Sequence, residues 1–497
     1  MSDSEETVMI DKDYEGVKKH DDEWFIYEGD LTIRCSVVVN INLIVNGNLI
    51  VDGSQFVIGN QRINGGQSIY GSQIILGNQS VQDFQFIDGN QRIHGDQNID
   101  NNQRIHGTQD IRGCQTINGN QRVKGCQTVT SDQIVHNCQF IEGTQVVESN
   151  QQIGANQQIE GKQTVQGYQI IKNNQYVYGF QLVDGDQTID GNQYLYGSQT
   201  ISYNQNINGC QTINNGNQFI KGNQTVDGYQ KVVFNQTVNG KQTVNGYQHV
   251  LGNQLIKDYQ IIDDRQEVDG EQIVKGSQRV NGSQKIERNQ IVCTNQDVLG
   301  NQFIKGNQTV SKYQKIEGDQ KVLEDQTIKR NQFVKGNQHV KGKQIVIKYQ
   351  KIDGDQVING DQTVKLDQFI MGDQTIKGCQ KVNGNQEIKQ SQLTIGNQRI
   401  RGYQNISGTR KVEGTSTILG HKTMFSSVLY TGRYNVYLTN EIIKIRCQEF
   451  TPSKWESFTD KQISEMDVEG SLTWWKEWKK VVLNKHKELV EEYGEVT

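Results

Sequence analysis

Proline occurs once in 497 residues, at Pro452, and hydrophobic residues make up only 33% of the chain. Together with 51 glycines, that composition excludes an ordinary globular enzyme built round a conventional apolar core. Charge of one sign is also missing: 51 basic residues stand against 56 acidic ones, a net of −5. Neither a strongly basic nucleic-acid binder nor a polyelectrolyte tail is indicated. No run approaches about 18 apolar residues, so no membrane-spanning helix is expected. Met1 to Lys19 is polar and acidic, without the basic-then-apolar pattern of a secretory signal, and the expected location is the cytoplasm or a virion. The eight cysteines include no CxxC pair and no histidine at finger spacing, which reads as free thiols in a reducing compartment.

What is present is order. From Gln55 to Gln404 a glutamine recurs at a regular step, 59 of them in 58 steps, 57 of six residues and one of seven, between Gln211 and Gln218. Two residues after each stands Ile, Val or Leu, with Thr394 the lone exception, and four after it usually Gly. Spacing of two sets Gln, the aliphatic residue and Gly on one side of an extended strand. A lone hexad buries one β-branched residue, so hexads must stack with their backbones paired, as a β-solenoid.

Departures from the motif give the number of hexads per turn. Tyr259, Tyr313, Tyr349 and Tyr403, each just before a Gln, differ by 54, 36 and 54, all multiples of 18. The non-glycine bends Asp258, Thr294, Lys312, Arg330, Lys348 and Leu366 follow the same interval. Three hexads therefore close one triangular turn of a single-chain parallel β-helix, an all-β fold. Extending the frame from Leu31 to Met424 gives about 22 turns, a rod roughly 105 Å long at the usual strand spacing.

Three hexads per triangular turn resembles the left-handed parallel β-helix of hexapeptide-repeat proteins, although that family places Gly directly after the aliphatic residue and a small residue where Gln stands here. The early segment Gly29-Asp30-Leu31-Thr32-Ile33 through Asn46-Gly47-Asn48-Leu49-Ile50-Val51-Asp52-Gly53 is similar to the bactofilins, polymer-forming cytoskeletal proteins with a right-handed triangular β-helix. The two resemblances leave the handedness open. The first implies an acyltransferase using a histidine and loop excursions between coils, and the second implies a filament.

A buried carboxamide without partners costs about 1–3 kcal/mol, so the inward glutamines need a common solution. Stacked coils supply one: each Gln donates to the Gln one turn away, forming three ladders, and its second N–H is expected to reach a corner carbonyl.

The outward residue after each Gln separates the three faces. One column reads Thr128, Val146, Thr164, Leu182, Thr200, Phe219, Thr237, Leu255, Ile273, Ile291, Thr309, Thr327, Ile345 and Thr363, without a charge. Equivalent columns include Arg122, Lys231, Glu267, Lys285 and Lys321, or Arg279, Asp297, Lys315 and Lys351. An uninterrupted uncharged stripe marks a candidate interface. Its core would be Val146, Leu182, Phe219, Leu255, Ile273, Ile291 and Ile345, with Tyr259, Tyr313, Tyr349 and Tyr403 as rim anchors.

Residues 1–30 read as a polar cap or tail with Trp24 and Phe25, 31–424 as the solenoid, and 425–497 as a small α+β domain. In the last, two strands (Val428 to Thr439, Ile442 to Phe450) precede a helix opened by Thr451-Pro452, a second capped by Asp460, and a long helix from Ser471 to about Tyr493. Its apolar surface would combine Trp474, Trp475, Trp478, Val481, Val482, Leu489 and Val490.

For catalysis the sequence offers little. The hexads have no excursions, His94 and His106 fall on different faces, and His249 and His339 share a register five turns apart. No catalytic residue, cofactor, metal, small-molecule ligand, nucleic acid or membrane is expected. The expectation is a structural protein, a scaffold or fibre that forms homo-oligomers or filaments. The alternative is a module that binds ice or another surface through its Thr and apolar face.

Overall fold

The computed structural model describes residues 7–10, 18–19, 24–418, 422–424, 427–430, 434–438, 442–446, 448–466 and 471–493. They fall into two compact units, Met1–Val280 and Asn281–Thr497.

In the N-terminal unit each hexad from Gln55 onward is a three-residue strand whose Gln and aliphatic residue are buried and whose middle residue points out, as in Gln55–Val57 and Gln127–Val129. Pairing is parallel and in register at a separation of 18. Gln55 pairs with Gln73 on a first face, Gln61 with Gln79 on a second and Gln67 with Gln85 on a third. Three sheets thus form together, one strand of each per lap. Strand pairing begins ahead of Leu31: Trp24–Tyr27 pairs in parallel with Asn42–Val45, Thr7–Ile10 with Ser36–Val39, and Lys18–Lys19 lies antiparallel on Trp24–Tyr27. Phe25 is buried there.

The C-terminal unit carries the same 18-residue laps, with Gln290 paired to Gln308, Gln296 to Gln314 and Gln284 to Gln302, and the last rung pairs Gln404 with Lys422. The chain is a parallel β-solenoid of about 22 laps and three sheets, followed by a small strand and helix module. From Val57 to Ile406 the inward aliphatic residue of each hexad is shielded from water, and each such burial favours folding by about 1.5–3 kcal/mol. At Thr394 a hydroxyl takes the aliphatic place, fully buried and without a hydrogen-bond partner.

The bend glycines are needed for space rather than for an unusual backbone. Among the described glycines only Gly29 has positive φ. At Gly143 a Cβ would lie 2.6 Å from the Gly125 carbonyl oxygen one lap below. The seven-residue step is absorbed at one corner, where Asn215 adopts φ 56°, a left-handed geometry that Asn tolerates better than most residues. Pairing resumes with Gln199 opposite Gln218.

The module after the solenoid has four antiparallel strands, Ser427–Tyr430, Asn435–Leu438, Ile443–Ile445 and Gln448–Phe450, where the sequence predicted two. Each expected strand is a hairpin, and Arg446 at φ 59° turns the second. Helices α1 (Pro452–Ser457), α2 (Asp460–Glu465) and α3 (Ser471–Tyr493) follow. Thr451 caps α1 as expected, accepting from the Lys454 N–H at 3.3 Å. The cap of α2 is Thr459 rather than Asp460: its hydroxyl accepts from the Gln462 N–H while the Gln462 side chain accepts from the Thr459 N–H. Trp455, Trp474, Trp475, Ile463 and Val482 form the core with Val436, Leu438, Ile443 and Ile445, and Trp478 packs at its margin. Trp455 Nε1 donates to the Ile443 carbonyl at 2.6 Å. Val481, expected in this surface, faces solvent. The side chains of Leu489 and Val490 lie outside the described residues.

Candidate interaction surface

The interior holds each face in place through its amides. Gln145 Nε2 donates to Gln127 Oε1 one lap below (2.9 Å) and to Gln133 Oε1 on the neighbouring face (3.0 Å). In turn Gln145 Oε1 accepts from Gln163 at 3.0 Å and from Gln157 at 3.2 Å. The same pattern repeats in the C-terminal unit, where Gln392 Nε2 donates to Gln374 at 2.7 Å and Gln380 at 2.8 Å. The second N–H therefore does not go to a corner carbonyl. It goes to the glutamine twelve residues back, and the three ladders are stitched into one network in which each amide can donate twice and accept twice. Every donor points toward lower-numbered laps, which leaves Gln55 and Gln61 Nε2 unpartnered at one end and Gln404 Oε1 at the other. Arg410, a donor with no acceptor, stands where the next Gln would be and binds Gln398 Oε1; burial lowers its guanidinium pKa to about 10.

A second ladder runs up the corners and went unseen in the sequence. The side-chain oxygen of the residue before one Gln accepts the backbone N–H of the same position a lap later: Asn78 N–H to Asn60 Oδ1 at 2.8 Å, Asp96 N–H to Asn78 at 2.7 Å, Cys114 N–H to Asp96 at 2.8 Å. Recurrent Asn, Asp and Ser before the glutamines were the available signal. A tyrosine there closes such a run, since it donates, as Tyr168 N–H does to Asn150 at 3.1 Å, but offers no comparable oxygen.

With the backbone fixed in this way, the uncharged column lies on the first face in strict register. Thr128 sits opposite Val146, Val146 opposite Thr164, and Thr164 opposite Leu182. The order then continues through Thr200, Phe219, Thr237 and Leu255 to Ile273. In the C-terminal unit Ile291, Thr309, Thr327, Ile345 and Thr363 align likewise. Leu182 is exposed at 40% and Ile291 and Ile345 at 38% each, whereas Val146, Phe219, Leu255 and Ile273 are half-buried between neighbouring laps. Charge bounds the column: the Arg92–Asp110 ion pair (3.2 Å) precedes Thr128, and Lys381 and Arg399 follow Thr363.

The tyrosines occupy the corner between the first and second faces, and two of them lean onto the second. The Tyr313 hydroxyl donates to Asp297 at 3.4 Å, and the Tyr349 ring lies 5.8 Å from Phe333. Burial raises both phenol pKa values, with Asp297 adding to the rise at Tyr313. Tyr259 is exposed under Lys241, whose Nζ lies 5.5 Å from its ring; Tyr403 is exposed, with its N–H bonded to Asn385 at 2.9 Å.

Other faces carry their charges in lateral pairs. Glu317 bridges Lys315 (2.7 Å) and Lys335 (2.5 Å), which together hold its carboxyl pKa down to about 2. On the third face Tyr176 stacks on Tyr194, and at the corner that follows it Tyr178 stacks on Tyr196, with centroids 5.1 and 4.9 Å apart. The third face also gathers His249, Glu267 and Asp269, whose potential ligand atoms lie within 4.8 Å of one another. Tyr247 donates to Glu267 at 2.9 Å, and burial first, then that bond, pushes its phenol up to about 12. Spacing alone set His249 and His339 in one register five turns apart, with no carboxylate weighed beside either; Glu267 stands one lap after His249. No helix among the described residues is long and apolar enough to cross a membrane, and the seven described cysteines are free thiols. No protein-family model, no curated protein and no solved structure matches the chain.

Proposed function

We propose that the protein is structural, a rigid β-solenoid scaffold that associates with copies of itself laterally through its first face. The observation that supports this is the uncharged column, held in register lap after lap while the other two faces accept charges at the equivalent positions. Within each unit the stitched amide interior holds the column in register. The reading assigns the chain no catalytic role. Replacing Leu182, Ile291 and Ile345 by Lys leaves the strand circular dichroism unchanged and converts the assembled protein to monomer in light scattering; unchanged mass would refute the interface. A second reading, adhesion to a periodic solid such as ice, draws on the alternation of Thr128, Thr164, Thr200 and Thr237 with apolar residues. Thermal hysteresis of the purified protein distinguishes it.

A further inference from the structure

The corner that follows the first face changes sign along the chain. In the laps from Thr128 to Thr200 it carries Asp132, Glu148, Asp184 and Asp186 and no base. In the laps from Ile291 to Thr363 the same corner carries Lys312, Lys329, Arg330, Lys348 and Lys365 against Asp367 alone. Apart from the half-buried Asp132, these charged residues are exposed. Asp132 is also engaged internally, accepting from the Ser149 hydroxyl at 2.6 Å. Each set borders five laps of the uncharged column, so two surfaces of the same architecture differ chiefly in the charge of one edge.

We infer that, within the lateral association proposed above, the acidic-edged laps Thr128–Thr200 of one copy dock against the basic-edged laps Ile291–Thr363 of a second copy, with the two chains antiparallel at the contact. Opposing two first faces antiparallel sets this corner of one copy beside the same corner of the other, whereas opposing them parallel sets it beside the opposite edge. An antiparallel register centred on the acidic-edged laps would bring carboxylate to carboxylate, and one centred on the basic-edged laps would bring lysine to lysine, which disfavours both. The offset pairing brings four carboxylates beside five bases. The contact joins two different stretches of the chain, so each copy offers one acidic-edged and one basic-edged site.

The test uses the full-length chain in three forms: wild type, E148K/D184K and K329E/K348E. Each variant alone should associate about tenfold more weakly or less, as several reversed edge charges imply, and an equimolar mixture of the two should recover the wild-type mass in sedimentation. Carbodiimide linking of mixed light and heavy-isotope protein should join Glu148 or Asp184 of one copy to Lys329 or Lys348 of the other. Wild type that assembles while both variants assemble equally well, or cross-links confined to equivalent laps, would overturn this pairing and leave the first-face interface standing. Wild type that stays monomeric at every concentration would overturn both.

Discussion

The solenoid and the module that follows it reach stability by opposite routes. The module concentrates its apolar material: Trp455, Trp474 and Trp475 meet in one core, with Trp455 and Trp475 ring centroids 5.2 Å apart. The solenoid distributes it, with one buried side chain, aliphatic in all but Thr394, and one satisfied carboxamide per strand from Gln67 to Gln398. A distributed interior has no single keystone, but each polar rung depends on its neighbours above and below, so a lost amide harms several others. A concentrated core tolerates polar change at its surface and fails when one large ring is removed.

The largest expected effect breaks the polar half of this contrast. Gln145→Leu strips one partner from each of Gln127, Gln133, Gln157 and Gln163 and should cost on the order of 5 kcal/mol, read from urea unfolding followed by strand circular dichroism. Trp475→Ala should cost about 3–5 kcal/mol in the module alone; near-ultraviolet dichroism would lose its tryptophan signal at lower urea while the strand signal persists. In the other direction, Thr394→Val removes the unpartnered hydroxyl and should stabilise the solenoid by about 1–2 kcal/mol in thermal unfolding. Thr459→Ala, which removes the cap of α2, should cost about 1 kcal/mol. The smallest effect is at Glu317. A carboxyl held below its ordinary pKa favours the folded state above that ordinary value, and the contribution fades as pH falls toward about 2. Carboxyl carbon NMR should show that midpoint, raised in Lys335→Gln.

Much of this is legible in the sequence. The 18-residue lap, the inward glutamines and aliphatics and the uncharged column all follow from spacing, because strand periodicity and stacking leave one arrangement that buries Ile63 and hides Gln61 together. The destination of the second amide proton was not legible, since it depends on how far a lap rises between neighbouring faces, and a repeat length says nothing of that. Nor was the lean of Tyr313 toward Asp297, which is decided by competition between an open face and a nearby carboxylate. In the module, Thr459 and Asp460 were equally good capping residues by type, and only the side-chain exchange with Gln462 distinguishes them.

The shared sense of the amides has a consequence for how such a protein can change in length. Duplication of eighteen residues inserts a rung whose donors and acceptors meet their complements on both sides, and it returns every outward residue to its own face. Duplication of six keeps the amides matched but rotates all later residues by one face, scrambling the pattern on the outside. Joining two such cores head to head would confront N–H with N–H at the seam, so natural lengthening and deliberate splicing alike are confined to whole laps laid in one direction.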